Sequence, residues 1–257
     1  MIYTMKLKEK YFDYIKYGTK EYEIRLNDDK RKKIKKGDFI EFQKEPYLED
    51  KIIVEVDDLL YCNSFDELLN SIDVELLSDS NMKKEELKLA LDSFYPMESQ
   101  NEYGLVAIKL RKNIIINNSK INNSLLDNEI FNTLRNNYNG FDKWLDKINS
   151  KGVDLYYTKN NKMLTSIMIL KLKEIDSQQF DKHGNILKIR TFLITDKNNG
   201  IGTTYLKLID NIAIQNSIDY IYLTIKINNN ELINFMEKNK YKRYNQYNDE
   251  FVYYKEL

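Results

Sequence analysis

The stretch Gly18-Thr19-Lys20-Glu21-Tyr22-Glu23-Ile24-Arg25-Leu26 alternates polar and apolar residues from Glu21 onward, the period of a half-buried β-strand. Successive side chains on a strand leave opposite faces, so Glu21, Glu23 and Arg25 share one side and Tyr22, Ile24 and Leu26 the other. Charge converges on one surface while the opposite face is free to enter a core. Upstream, segment 2–8 alternates weakly, and Tyr11, Phe12, Tyr14 and Ile15 follow at the spacing of one helix face, with Gly18 placed to end that helix. Downstream, Lys30-Arg31-Lys32-Lys33-Ile34-Lys35-Lys36 is basic at every position but one, and Gly37-Asp38 turns into the apolar-rich Phe39-Ile40-Glu41-Phe42. Ile52 to Val56 and Leu105 to Ile108 supply further strands, with amphipathic helices predicted over 65–72 and 85–93. The pattern predicts a small β-barrel with helices inserted.

The basic run has two readings. Its side chains, Arg31 and Lys33 among them, can follow a phosphate backbone through charge-assisted contacts, or they can serve as a solvated lysine-rich loop. Arg25 and Glu23 likewise read either as ligand-binding groups or as an ion pair across strands.

From Lys112 to Asn128 the periodicity disappears and the chain turns rich in Asn and Ser, as a linker would. We therefore expect a first domain over 1–111, a linker over 112–124 acting as a flexible tether, and a second domain over 125–257. The second begins with two short helical patterns (130–134 and 141–148) and two strands (153–158 and 163–173) joined by Lys159-Asn160-Asn161-Lys162. A loop holding His183 then leads to a strand at 186–195, a glycine loop, a helix at 203–213, a strand at 220–225 and a helix at 231–238. That order is α+β with a parallel crossover.

The glycine loop reads Lys197-Asn198-Asn199-Gly200-Ile201-Gly202-Thr203-Thr204. Placed between a strand and a helix, it offers backbone N–H groups and the positive end of a helix dipole to an anion such as pyrophosphate. Its alternative is an ordinary tight turn in which Thr203 or Thr204 caps the helix.

Composition bounds the rest. The 257 residues suit two ordinary domains, and 42% hydrophobic with 31% charged residues describes a globular chain. Apolar runs are far too short to span a bilayer and no signal-like stretch opens the sequence, so a cytoplasmic protein is expected. Forty basic residues balance forty acidic ones, which confines any nucleic-acid affinity to a local patch. One cysteine, Cys62, and one histidine, His183, cannot make an internal disulfide or a Cys/His zinc site, and no metal is expected. Cys62 and Trp144 read as core residues and His183 as incidental.

Several short motifs in order carry a resemblance to the ASCH domain family: the G-x-K-x-x-E-x-R run from Gly18 to Arg25, the basic stretch ending in Gly37 to Phe42, Ser64-Phe65-x-x-Leu68, and Tyr103-Gly104-Leu105-Val106-Ala107-Ile108. The resemblance implies a PUA-like barrel with a cleft for RNA or a modified nucleotide, lined by Lys20, Glu23 and Arg25. Some ASCH proteins are amidohydrolases acting on N4-acetylcytidine through a Lys, a Thr and a Glu. Lys20 matches that lysine, Glu23 stands at the threonine position, and Ser78-Asp79-Ser80-Asn81 falls where the glutamate belongs, so binding is expected over hydrolysis.

The second domain resembles the GNAT acetyltransferase family, whose acetyl-CoA loop reads Q/R-x-x-G-x-G/A after the fourth strand. Lys197 replaces the Q/R, and Asn228-x-x-Glu231-x-x-x-Phe235-x-x-x-x-Lys240-Tyr241 is similar to the family's N-x-x-A-x-x-x-Y-x-x-x-x-G-F segment. The resemblance implies acetyl-CoA held by Ile194, Lys197, Asn199, Gly200, Ile201, Gly202, Thr203 and Asn228. Phe235 stands where the family's tyrosine protonates the CoA thiolate. That leaves Tyr241, Tyr244, Tyr222 or water as proton donor, and Glu174, Asp176 and Glu231 as possible bases. The fold class expected is therefore α+β, a PUA-like barrel followed by a GNAT-like mixed α/β domain. The function expected is an RNA-associated acetyltransferase acting on a nucleic acid, aminoacyl-tRNA or protein amine. The alternatives are a non-catalytic RNA and acetyl-CoA sensor, or an amidohydrolase centred on Lys20.

Overall fold

The structure is a computed structural model and describes residues 1–78, 82–174 and 178–257. It divides into two compact units, 1–118 and 119–257.

The first unit runs β1 (Ile2–Leu7), α1 (Glu9–Lys16), β2 (Tyr22–Leu26), β3 (Phe39–Lys44), β4 (Lys51–Cys62), α2 (Phe65–Ser71), α3 (Val74–Leu77), α4 (Lys84–Phe94), α5 (Met97–Tyr103), β5 (Leu105–Leu110) and β6 (Ile116–Lys120). Strand β4 is twice as long as its alternation predicts because it serves two sheets. Its first half pairs antiparallel with β3 and β6, and its second half with β5, the register shifting between Val56 and Asp58. Strand β3 pairs in parallel with β1, and β2 pairs antiparallel with β5. The bend at the shift lets one strand close a barrel-like wall. Two apolar clusters fill it: one around Phe12, Ile40, Phe42 and Val106, the other around Ile24, Phe65, Leu68 and Ala107 beneath the inserted helices. Ile34, the one apolar member of the basic run, is 2% exposed and pins that run to the core. Burial pushes the Cys62 thiol up, with Glu67 adding to the shift.

The expected linker is corrected here. Residues 112–124 contain the strand β6, whose Ile116, Asn117 and Asn118 pair with Ile53, Ile52 and Lys51. Ile114 and Ile116 are buried, so their burial and the ladder fix a stretch whose Asn-rich composition reads as loose.

The second unit runs α6 (Asn123–Leu126), α7 (Ile130–Asn137), α8 (Phe141–Asn149), β7 (Asp154–Asn160), β8 (Met163–Lys171), β9 (Ile186–Ile194), α9 (Ile201–Gln215), β10 (Tyr220–Lys226), α10 (Asn230–Lys238), β11 (Lys242–Tyr247) and β12 (Glu250–Glu256). Strands β7, β8 and β9 are antiparallel neighbours, β10 joins β9 in parallel, and β12 lies between β10 and β11. The final hairpin escapes the sequence reading: β11 is largely exposed and lacks the alternation that announces a strand. Helices α7 and α8 cover β7 and β8 through Phe131, Leu145, Ile148 and Ile167.

The parallel pairing of β9 and β10 covers only Tyr220↔Ile186, Ile221↔Leu187 and Tyr222↔Lys188. Beyond that the ladder to β10 stops, while β9 stays paired with β8 as far as Ile194. Among the described residues no helix is long and apolar enough to cross a membrane, and no group of three His, Cys, Asp or Glu side chains is arranged to hold a metal.

Candidate functional site

In the first unit a cleft of about 600 Å³ opens between the end of β1, the start of α1, β2, the basic turn and α4. Lys20, Glu23 and Arg25 meet there: Glu23 and Arg25 leave the same face of β2, and Lys20 joins them from the segment just before the strand. Glu23 is the hub: its Oε1 lies 2.9 Å from Arg25 Nε and its Oε2 3.6 Å from Lys20 Nζ. The pair is carried by one strand, two residues apart, and is not the expected link across strands. Lys20 Nζ also donates to the Leu77 carbonyl at 2.6 Å, and Arg25 to the Lys6 carbonyl at 3.1 Å. Burial holds the Lys20 amine below the usual lysine range, against the pull of Glu23. Burial also opposes the charge on Arg25, but Glu23 and Tyr95 outweigh it and keep the guanidinium above its ordinary value. Burial raises the Tyr95 phenol. Two cations share one carboxylate here, so the cleft carries surplus positive charge at its floor, a setting for an anionic or hydrogen-bond-accepting ligand.

Arg31 reaches the cleft with Lys30, although Asp28 pairs with it at 2.7 Å. Lys33 does not. Its side chain is exposed and its carbonyl accepts from the Tyr3 hydroxyl, because the 3-10 turn at Arg31–Lys33 rotates it outward. Asp28 and Asp29 neutralise part of the basic run, which sequence alternation cannot reveal. The aromatic walls are not legible either, since Tyr11 comes from α1 and Phe94 and Tyr95 from the end of α4, far apart in the chain. Residues 79–81, where the amidohydrolase glutamate would fall, lie outside the described residues; Ser78 is buried.

In the second unit a cavity of about 620 Å³ is floored by the glycine loop and the start of α9 and walled by α10. Ile194, Lys197, Asn199, Gly200, Ile201, Gly202 and Thr203 all line it. Gly200 is the N-cap residue at φ +86°, where a side chain would be strained. A Cβ on Gly202 would lie 2.9 Å from Phe235 Cζ and 3.3 Å from Ile194 Cδ1. Asn199 Oδ1 accepts from the Ile201 N–H at 3.2 Å, and helix geometry leaves the Gly202 and Thr203 N–H groups without partners inside α9. Those groups can receive an anion such as a pyrophosphate. Asn228 is corrected to its neighbour: Asn229 caps α10, accepting from Leu232 N at 3.2 Å, and lines the cavity. Lys197 makes an ion pair with Glu231 at 2.5 Å over the loop, which ties up Glu231 as a base. Phe235 stacks on Phe192, ring centroids 6.2 Å apart.

A second cavity, about 380 Å³, is lined by Tyr138, Trp144, Glu174, Lys188, Arg190 and Glu250. Phe192 and Leu232 belong to the walls of both cavities. Trp144, read as core, does pack against the α7–α8 cluster but also faces this cavity.

None of the three expected tyrosines lines either cavity. Tyr222 is fully buried and stacked on Phe180 at 4.9 Å. Tyr244 hydrogen-bonds Asp181 through its hydroxyl. Tyr241 is 3% exposed, its hydroxyl has no hydrogen-bond partner among the described residues, and burial, aided by Asp210, drives its phenol far above the ordinary value. Each is consumed by packing of the terminal hairpin or α10, elements whose placement a linear motif does not carry. Asp176 lies outside the described residues.

The family model for the ASCH domain matches residues 5–114. The protein PF0455 from Pyrococcus furiosus, solved in solution, is 34% identical over 43% of this chain and 96% of its own, with a TM-score of 0.36. Over the second unit, Arabidopsis thaliana Naa50 in complex with a bisubstrate analogue is 18% identical, covering 55% of this chain and 99% of its own at a TM-score of 0.41. The PaiA N-acetyltransferase of Thermoplasma acidophilum in complex with coenzyme A is 16% identical, over 56% and 100%, at 0.39. No curated protein sequence matches the chain. With its β-rich fold built around the Lys20, Glu23 and Arg25 cleft, the stretch 5–114 of this chain is identified as an ASCH domain.

Proposed function

We propose that the protein is an acetyl-CoA-dependent acetyltransferase that uses its ASCH domain to engage RNA or a nucleotide. The observation that carries the reading is the parting of β9 and β10 beyond Lys188 and Tyr222, which leaves two cavities sharing Phe192 and Leu232. One offers backbone N–H groups at a helix N-terminus to a pyrophosphate; the other offers charged and aromatic side chains to an acceptor. Acetyl-CoA, when bound, supplies an activated thioester; this chain's own work is to hold the two substrates on either side of the same wall and to exclude water, so that positioning supplies much of the rate.

Phe235 cannot donate a proton, and its stacking on Phe192 makes the wall apolar, so a protonated leaving thiol needs water or the acceptor itself. That same feature supports a second reading, a sensor that binds acetyl-CoA without turnover. Incubation of the full chain with radiolabelled acetyl-CoA, total RNA and a panel of primary amines separates the two. Label on any acceptor supports the transferase. Acetyl-CoA binding with no labelled acceptor leaves the sensor.

The first unit's role in this reading is capture. The floor of its cleft carries two cations against one carboxylate, and Lys30 and Arg31 stand at its edge. RNA affinity should fall with salt, each neutralised phosphate contributing about −0.7 to the log–log slope for single strands. A flat salt titration removes the RNA assignment.

A further inference from the structure

Among the described residues, the two cavities of the second unit have only Phe192 and Leu232 in common. If one cavity holds a CoA thioester and the other an amine, the acyl carbon and the attacking nitrogen must come within bonding distance. They can meet only where the cavities share a border. The residues at that border therefore surround the acyl group. Phe192 is half-buried, so part of its ring faces open space and not a neighbouring side chain.

That ring is braced. Its backbone sits in the β8–β9 ladder, where Phe192 pairs with the fully buried Met168. Tyr205 packs against it edge-on, ring centroids 6.0 Å apart. Tyr205 is itself fully buried and tied by its hydroxyl to Ser166 Oγ at 2.7 Å, which in turn lies 2.6 Å from Thr158 Oγ1. A further ring, Phe235, stacks on Phe192 at 6.2 Å. The glycine loop backs Phe235 so closely that a Cβ on Gly202 would meet its Cζ at 2.9 Å. Each of these groups is held by the next, which leaves Phe192 little room to retreat, and a packed wall of this kind resists an inserted methylene.

We infer that Phe192 is the gauge of acyl length: the wall it forms with Leu232 admits the two-carbon acetyl group and turns away CoA thioesters of four carbons or more. The inference rests on the transferase reading and adds the class of donor to it. An apolar pocket discriminates against one added methylene by roughly ten- to two-hundredfold. A butanoyl group carries two, and both would have to displace a ring that has no slack behind it.

Calorimetric titration of the full chain with CoA, acetyl-CoA and butanoyl-CoA tests it. The wild type should bind acetyl-CoA tighter than butanoyl-CoA by about tenfold or more. Phe192→Ala should erase that preference or invert it, since each methylene entering the vacated space adds about fourfold in affinity. Phe192→Leu, which keeps an apolar wall of smaller volume, should fall between. The ratio of the two thioesters within one protein is the readout, so a general loss of affinity in a variant cancels, and the leucine variant carries the test if the alanine variant does not fold. Equal binding of the two thioesters by the wild type, or the wild-type ratio retained in either variant, would overturn the inference and leave the transferase reading standing. If the wild type binds neither CoA nor acetyl-CoA, that reading falls, and this inference with it.

Discussion

The two units build their anion-facing sites from opposite materials. In the first, three charged side chains are folded into a cleft and hold one another: Lys20 and Glu23 are about 5% exposed and Arg25 is partly so. In the second, the glycine loop presents backbone N–H groups, and its charged members, Lys197 and Glu231, pair at the surface with side chains 53% and 68% exposed. The difference teaches where charge is structural. A buried ion cannot lose its partner without a large penalty, whereas an exposed one trades partners with water at little cost. The first site should therefore be coupled to the stability of its domain, and the second should be tunable without harming the fold.

The largest effect should follow from removing the hub. Glu23→Gln leaves Lys20 and Arg25 facing each other in the cleft without a counter-charge, and breaking such a pair costs about 3–5 kcal/mol. Denaturant unfolding of the full chain should show that loss in the transition assigned to residues 1–118. A loss below ~1 kcal/mol, the scale of an exposed pair, would place both sites in the same class and break the comparison.

Next is the glycine loop. Acetyl-CoA at about 100 times its dissociation constant should stabilise the second unit by roughly 2.7 kcal/mol. Gly202→Val should abolish this, because even its Cβ meets Phe235 at 2.9 Å and the loop must shift. Thermal shift with and without ligand measures it. A variant that retains the full ligand shift would show that the close approach at Gly202 is not part of the binding surface.

The same contrast explains what was legible in the sequence. The glycine loop is local: Ile194 to Thr203 are contiguous, and seven of the eight residues read from the motif line the cavity, with Asn228 displaced by one to Asn229. Strand alternation likewise puts Glu23 and Arg25 on one face, and both line the first cleft; Lys20, which precedes the strand, is pointed to by the family resemblance and not by alternation. What failed depends on elements distant in the chain. The tyrosines at 222, 241 and 244 look available as donors until the terminal hairpin and Phe180 bury or occupy them. Residues 112–124 look loose until Ile116 to Asn118 find β4. The smaller of the second unit's two cavities joins α7, α8, β9, β12 and the segment after β8, and no linear motif announces it.

A smaller effect is expected from pH. Burial lowers the Lys20 value in the folded chain, so over the interval between that value and the ordinary 10.5 the unfolded chain binds more protons. Stability from this residue is complete above 10.5 and is lost as pH falls through the folded value. Lys20→Met removes the group, so the wild type should gain stability relative to the variant as pH rises toward 10.5. Parallel stability curves for the two proteins would mean that Lys20 titrates as an exposed lysine does.

The smallest effect is the one that most sharpens the contrast, because it repeats the first substitution in the second unit and should change binding where the first changes stability. Glu231 holds Lys197 across the mouth of the glycine-loop cavity, and both side chains are more than half exposed. Glu231→Gln should leave stability within about 1 kcal/mol of the wild type, the usual worth of a surface pair. A bound pyrophosphate and Glu231 are rivals for the same ammonium, so deleting the carboxylate should free Lys197 and tighten acetyl-CoA binding. The gain is bounded by the energy of the pair, so up to about fivefold is expected, shrinking as salt screens both partners. Calorimetric titration of wild type and Glu231→Gln at low and high ionic strength tests it. Weaker binding in the variant would show that Glu231 positions Lys197 for the ligand instead of competing for it. The carboxylate would then be part of the binding surface, as integral to its site as Glu23 is to the first.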